Sequence, residues 1–306
     1  MSDNYDKVSL LLPMNGANNG TVFPDWSPAP KTVTVVNSAR TSTAQNKYYD
    51  SSGDFTASTT ARLDVTYSSD LDIGSGDFTA ELWARPGATG AARALMDWRN
   101  GIGTINRFAL ISMNTDGKPS LDFGSGSTWY VNILSSIAIA ANTWGHIAVT
   151  RSGSNFTLWV DGVSSATGSN AGTHTMPSVP LKIGVAADNS SFGYNGYMQD
   201  VRITKGVALY TANFTPPARL IGTISNAAVG ADKIRDINGN LAERTVIAVP
   251  RSYFVDRTAP PRIFSTVSNA SGEFEIQAPA GVEHSVVALA DEATLYNDIV
   301  HRVIPV

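Results

Sequence analysis

The 306-residue chain contains no cysteine. That excludes disulfide stapling and thiolate chemistry, and leaves a protein that must fold on its core alone, as it can in a reducing cytosol. Charge is scarce as well. Asp, Glu, Lys and Arg make up 16% of the residues, the net charge is −4, and Lys and Arg never form a run. A nucleic-acid partner needs a basic footprint, so none is expected. Long apolar stretches are missing: the longest, IAIAA at 137–141, is far too short to span a bilayer, and membrane insertion is not expected. The opening residues, MSDNYDKVSLLL, have neither a basic n-region nor a long apolar segment, and do not read as a signal peptide. No helical pattern of ten or more residues occurs in the first 220 positions.

What the chain does have is strand after strand. Hydrophobic residues reach 42%, enough for a large buried core, and Gly, Ser, Thr and Asn take the place of charge, as tight turns require. The segment DFTAELWARP (77–86) alternates with a period of two. Phe78, Ala80, Leu82 and Ala84 face one way, and Thr79, Glu81, Trp83 and Arg85 the other. Residues 142–163 hold two strands joined by a Ser-Gly-Ser-Asn turn and end in Asp161-Gly162, a strong hairpin signal. YMQDVRITKGVALYTANFTPP (197–217) reads as a last strand, with Val201 and Ile203 on a core. A short segment follows, in which Leu209, Tyr210 and Phe214 are spaced like one helical turn folded back, before Pro216-Pro217 stops the chain. More than ten short strands without helices predict a two-sheet antiparallel sandwich or jelly roll. Length predicts a second domain. The tail supplies one, with an Asn238-Gly239 turn, a strand over 244–249, a hairpin turning at Asn269–Gly272, and two final strands. The expected division is 1–221 and 222–306.

Three stretches, VSLLLPMNG…FPDWSP (8–28), GDFTAELWARP (76–86) and TWGHIAVTRSGSNFTLWVDG (143–162), resemble the laminin-G-like, concanavalin A-like jelly rolls, most closely those of bacteriophage tail proteins. GYMQDVRITKGVALYTANFTPP (196–217) is similar to the end of that family's domain, where a packed turn seals the sandwich. Asn15 stands where the phage versions usually carry an aspartate, so a role needing a carboxylate there is not served. NASGEFEIQAPAG (269–281) and the residues after it resemble the carboxypeptidase-regulatory-like or transthyretin-like sandwiches that often end phage tail proteins. The resemblance implies an all-β protein: a concanavalin A-like antiparallel jelly roll followed by a smaller β-sandwich. It also implies a virion tail location, reached by synthesis in the host cytoplasm, assembly and lysis.

Jelly rolls of this kind include glycoside hydrolases, which need two carboxyl groups flanking one glycosidic bond. The best strand, DFTAELWARP, offers Glu81 alone, so no catalytic residue is assigned. His146, His174, His284 and His301 lack metal-ligand spacing, and His146 reads as structural. No nucleophile elbow, phosphate loop or zinc motif is present. Calcium remains a candidate cofactor, because oxygen-rich loops occur at 68–77, 96–100 and 186–191; the favoured reading is that their Asp and Asn residues build turns. Sugar binding uses aromatic rings to stack on CH faces and amides to bond hydroxyls. Trp98, Asn100, Trp129, Tyr130, Asp188, Asn189, Phe192, Tyr194 and Asn195 lie in or beside predicted loops and form the candidate ligand face, while Trp144, Trp159 and Asp200 are assigned to packing. The expected function is non-catalytic adhesion of a tail-tip, baseplate or tail-fibre protein to a host-surface glycan or other receptor. Other tail proteins and further copies of the chain are the expected partners. The alternatives are a purely structural virion protein and a polysaccharide depolymerase.

Overall fold

The computed structural model describes residues 2–74, 76–87, 90–101, 107–188, 192–218, 221–225, 245–250, 264–280, 284–288 and 298–303. The chain divides into two compact units, Lys7–Ala218 and a smaller one made of Arg219–Val306 with Met1–Asp6. In the larger unit the strands run β1 (Val8–Leu12), β2 (Val33–Val36), β3 (Arg40–Ser42), β4 (Ser52–Asp54), β5 (Arg62–Val65) and β6 (Phe78–Pro86). They continue with β7 (Arg93–Asp97), β8 (Arg107–Met113), β9 (Pro119–Gly126), β10 (Thr128–Leu134) and β11 (Gly145–Ser152). The last four are β12 (Asn155–Val160), β13 (Val163–Ser169), β14 (Leu181–Ile183) and β15 (Gly196–Lys205). Among the described residues the only helical elements are two short 3-10 turns, Ser2–Lys7 and Ser69–Leu71.

All pairings are antiparallel and make two sheets. The eight-stranded sheet has the order β13-β12-β11-β6-β15-β4-β3, with β1 also paired to β15; the seven-stranded sheet has the order β10-β9-β8-β7-β14-β5-β2. The alternation read in β6 holds: Phe78, Ala80, Leu82 and Ala84 enter the core between the sheets, joined by Ile147 and Val149 of β11 and Val201 and Ile203 of β15. Apolar area removed from water is the main stabilising term here, at roughly 1.5–3 kcal/mol for each large side chain. Asp161 and Gly162 have φ of 50° and 78°, the doubly positive pattern of a type I′ turn, and join β12 to β13 with Val160 opposite Val163.

The far face of β6 departs from expectation. Thr79, Glu81 and Trp83, which alternation assigns to solvent, are at most 5% exposed. The closing segment 206–218 folds back across them, in bends rather than a helical turn. Thr79 Oγ1 accepts from Leu209 N (2.8 Å) and donates to the Val207 carbonyl (3.1 Å), and Phe214 N donates to the Gly162 carbonyl (2.9 Å). Beside it the 43–51 loop contributes Lys47, whose ammonium lies 4.5 Å above the Trp83 ring, and Tyr48, edge-on to that ring.

Past residue 219, the smaller unit is also all-β among its described residues. β16 (Ile221–Ser225) pairs with β19 (Glu275–Pro279), and β17 (Thr245–Pro250), β18 (Phe264–Val267), β20 (His284–Ala288) and β21 (Asp298–Val303) form a sheet of order β18-β17-β20-β21. The expected Asn269–Gly272 turn forms: Asn269 Oδ1 accepts from Ser271 N and Glu273 N. It does not make a hairpin, however, because β18 and β19 belong to different sheets. An Asx-built loop of this length lets the chain arch from one sheet to the other, where a two-residue primed turn would have kept the strands paired. The Asn238-Gly239 turn lies outside the described residues.

Candidate functional site

The outer face of the eight-stranded sheet holds a buried charge cluster. Glu81 is 1% exposed. Its Oε1 receives the Arg202 guanidinium, and its Oε2 accepts from the Tyr210 hydroxyl (2.7 Å) and meets His146 Nε2 at 3.1 Å. Burial alone would raise the Glu81 pKa, but Arg202, His146 and Tyr210 outweigh it and hold the group at about 2. Burial and the Glu81 charge push the Tyr210 phenol up. The Tyr210 and Phe214 rings stack at 3.5 Å, and Phe214 meets Trp159 and His146 edge-on. Trp159 is buried and its indole N–H donates to Thr150. Asp200 is buried, has φ of 52°, and accepts from the Tyr49 hydroxyl; Trp144 is half-buried. This cluster is a closed structural core, with its carboxylate fully bonded.

The outer face of the seven-stranded sheet is built differently. Register places Asn132, Asp122, Leu110, Asp97, Lys182 and Asp64 side by side across six strands. Asp97 is fully buried. It accepts from Arg99 N, Nε and Nη2 and from Ala187 N, at 2.7–3.2 Å. The Arg99 guanidinium also lies 5.9 Å from the Trp129 ring, so one side chain ties β7 to β10. Trp129 sits opposite Gly124, whose missing Cβ would come within 2.9 Å of the indole and 2.2 Å of the Thr128 carbonyl. A bulge follows, and Tyr130 is its extra residue. Tyr130 is 47% exposed and stacks on His174 (4.8 Å, 15° between planes). Burial and the Arg151 guanidinium lower the His174 pKa, favouring the neutral ring. Beyond the bulge, Asn132 donates to Asp122, and Leu134 is 48% exposed.

The candidate ligand residues separate into groups. Trp129 comes together with the Asp97–Arg99 pair, while Tyr130 stacks on His174, whose ring lies edge-on to Phe123 of the core; exposed Asn100 follows Arg99, and half-buried Asp188 follows Ala187. Phe192 is 51% exposed, and its carbonyl accepts from Ala94 N; Asn195 is half-buried, and its carbonyl accepts from Gly87 N. Phe192 thus lies at Ala94, ~10 Å along β7 from Asp97, and Asn195 lies at Gly87, just past the end of β6. Asn189 lies outside the described residues. Two expectations fail. Trp98 and Tyr194 are fully buried, Tyr194 packing edge-on to Phe55, so neither ring can meet a ligand. The β7 alternation runs on through Asp97-Trp98-Arg99 and turns the indole inward, away from its two charged neighbours. That same alternation is the signal that would have found Arg99; His174 had none, since its partner Tyr130 is distant in sequence.

Loop carboxylates are committed elsewhere. Asp72 accepts from Gly74 N, Asp77 from Gly153 N, and Asp70 pairs with Lys31. No three His, Asp or Glu side chains group as metal ligands among the described residues. These described carboxylates serve turns and ion pairs.

Two antiparallel sheets packed on one core, one of them sealed on its outer face by the chain's own closing segment, define a lectin-type jelly roll. Residues 57–209, half of the chain, match the family model described as the concanavalin A-like lectin/glucanases superfamily (Laminin_G_3), and the chain belongs to that family. No curated protein sequence matches it. Among solved structures it is similar to the binding domain of Paraclostridial mosquitocidal protein 1, at a TM-score of 0.52 and 15% identity over 97% of this chain and 73% of that one. The botulinum neurotoxin serotype D binding domain gives 0.53 and 12% over 95% and 74%. The serotype D ligand-binding domain in complex with N-acetylneuraminic acid gives 0.51 and 12% over 94% and 72%. At such identities the likeness is one of fold.

Proposed function

We propose that the chain is a bacteriophage tail-tip, baseplate or tail-fibre protein whose larger unit adheres to a host-surface glycan through the β10 edge of the seven-stranded sheet, without catalysis. The observation that carries this reading is the pair Trp129 and Tyr130 on edge strand β10, one ring under the Arg99 guanidinium and the other backed by His174. Rings held in this way lose little side-chain freedom when a sugar stacks on them. A similar toxin domain, in complex with N-acetylneuraminic acid, supports the idea that this architecture can present a sugar site. Catalysis is disfavoured because Asp97 accepts bonds from Arg99 and Ala187 on both oxygens and Glu81 is sealed. On this reading the smaller unit, with its transthyretin-like sequence, anchors the protein to neighbouring tail proteins, and tail symmetry makes it an oligomer. Purified protein should sediment with host cells or their extracted surface polysaccharide. Trp129→Ala with Tyr130→Ala should abolish this while leaving the unfolding temperature within a few degrees. Unchanged sedimentation by the double variant would overturn the proposed edge, and release of reducing ends from the polysaccharide would overturn the non-catalytic reading.

A further inference from the structure

Asparagine is followed by glycine five times in the chain, at residues 15–16, 19–20, 100–101, 195–196 and 238–239. Such a pair can rearrange without an enzyme, because glycine has no side chain to keep its amide nitrogen away from the asparagine carboxamide. We infer that the fold confines this reaction, among the described pairs, to Asn100-Gly101, and makes Asn100 a modification site that converts to aspartate and isoaspartate. The Gly101 nitrogen gives up its proton to solvent and bonds to Asn100 Cγ; the Cγ–Nδ2 bond breaks, and ammonia leaves. Water then opens the cyclic imide, breaking either the new N–Cγ bond to give aspartate or the original peptide bond to give isoaspartate. The other described pairs are held against this attack. Gly16 N donates to Ser51 Oγ (2.8 Å). Gly20 N donates to the Ala17 carbonyl (2.9 Å), and Asn19 N is itself fixed on the Thr41 carbonyl (2.8 Å). Gly196 is buried in β15 opposite Pro86, and the Asn195 carbonyl accepts from Gly87 N. A nitrogen that is already donating must break its bond and turn before it can attack. Asn100-Gly101 is placed otherwise. The chain is clamped as far as Arg99, whose backbone N and guanidinium both lie on Asp97, and the next residue, Asn100, is exposed to water. Gly101, at a φ of 100°, has both halves of the conformational map open to it, so the turn that attack requires costs little. Each conversion adds a negative charge one residue from Arg99, beside its contact with Trp129, to a chain whose net charge is already −4. The reaction proceeds whatever the larger unit binds.

The test incubates the full-length protein in mildly alkaline buffer, native in one arm and unfolded in guanidinium in the other. Peptides carrying Asn15, Asn19, Asn100 and Asn195 are followed by mass spectrometry, with isoaspartyl methyltransferase labelling to mark the isoaspartate product. Asn238-Gly239, outside the described residues, does not enter the comparison. Unfolded, the pairs share one chemistry and should convert at similar rates. Folded, Asn15, Asn19 and Asn195 should slow by about tenfold or more, the scale of one hydrogen bond, while Asn100 stays within about threefold of its unfolded rate. Asn100 slowing on folding as much as Asn195 does, or any of the other three converting as fast as Asn100 in the native protein, overturns the inference.

Discussion

Replacing Glu81 by glutamine probes the sealed face of the eight-stranded sheet. The substitution keeps the shape but removes the carboxylate that Arg202, Tyr210 and His146 converge on, leaving a guanidinium that is 3% exposed without its counter-charge. Breaking one side of a buried pair costs about 3–5 kcal/mol. The depressed pKa gives a second route to the same quantity. A carboxyl held at about 2 rather than its ordinary 4.5 contributes about 3 kcal/mol at neutral pH. For a unit of this size each kcal/mol moves the melting temperature by ~2–4 °C, so the variant should melt roughly 10 °C lower. All six tryptophans lie between residues 26 and 159, so intrinsic fluorescence follows the larger unit alone. The sign of the pH effect is fixed by the direction of the shift. Because the folded-state pKa is lowered, the stabilisation is fully present above pH about 4.5 and is lost as pH falls toward 2. The gap between wild type and Glu81→Gln should therefore close over that window. A melting temperature within about 2 °C of wild type at neutral pH, or a gap that stays constant down to pH 2, would refute the reasoning.

Two further substitutions test the same architecture. In Gly162→Ala the new Cβ would sit 1.8 Å from the Phe214 carbonyl at a φ of 78°, so the closing segment must lift; limited proteolysis should cut within 206–218, and resistance equal to wild type would contradict the seating described. Trp98→Ala should destabilise the larger unit by about 3–5 kcal/mol as a core truncation, whereas Trp129→Ala should cost about 1 kcal/mol or less, and denaturant midpoints showing the reverse order would overturn the assignment of the two indoles.

Much of the fold was legible because period-two alternation is a local property. DFTAELWARP and the Asp161-Gly162 turn carry their structure within a few residues. What alternation cannot report is whether a polar face meets water. Glu81 looked like a solvent-facing acid because its partners, Arg202 and Tyr210, are more than a hundred residues away and arrive by sheet pairing and chain reversal. The candidate site was readable in part for the same reason. Trp129 and Tyr130 were found by residue type, but Trp98 and Tyr194 were misjudged by treating aromatic residues near turns as exposed. Extending the alternation by two residues past Asp97 would have turned Trp98 inward and brought Arg99 out. The Asn269–Gly272 turn shows the complementary limit: a turn signal fixes where the chain bends, not which sheet receives the next strand.

The position of β15 has a consequence for how the protein is made. It lies inside the eight-stranded sheet, flanked by β6 on one edge and by β1 and β4 on the other, with Val8 facing Thr204. A ribosome delivers β1 almost two hundred residues before its partner, so the first strand waits through nearly the whole synthesis of the unit. Long-range closure of this kind slows folding and leaves an open strand edge in the meantime. Any chain released before residue 205 lacks an interior strand rather than a margin, and quality control in the producing cell would meet it as an unfinished sheet.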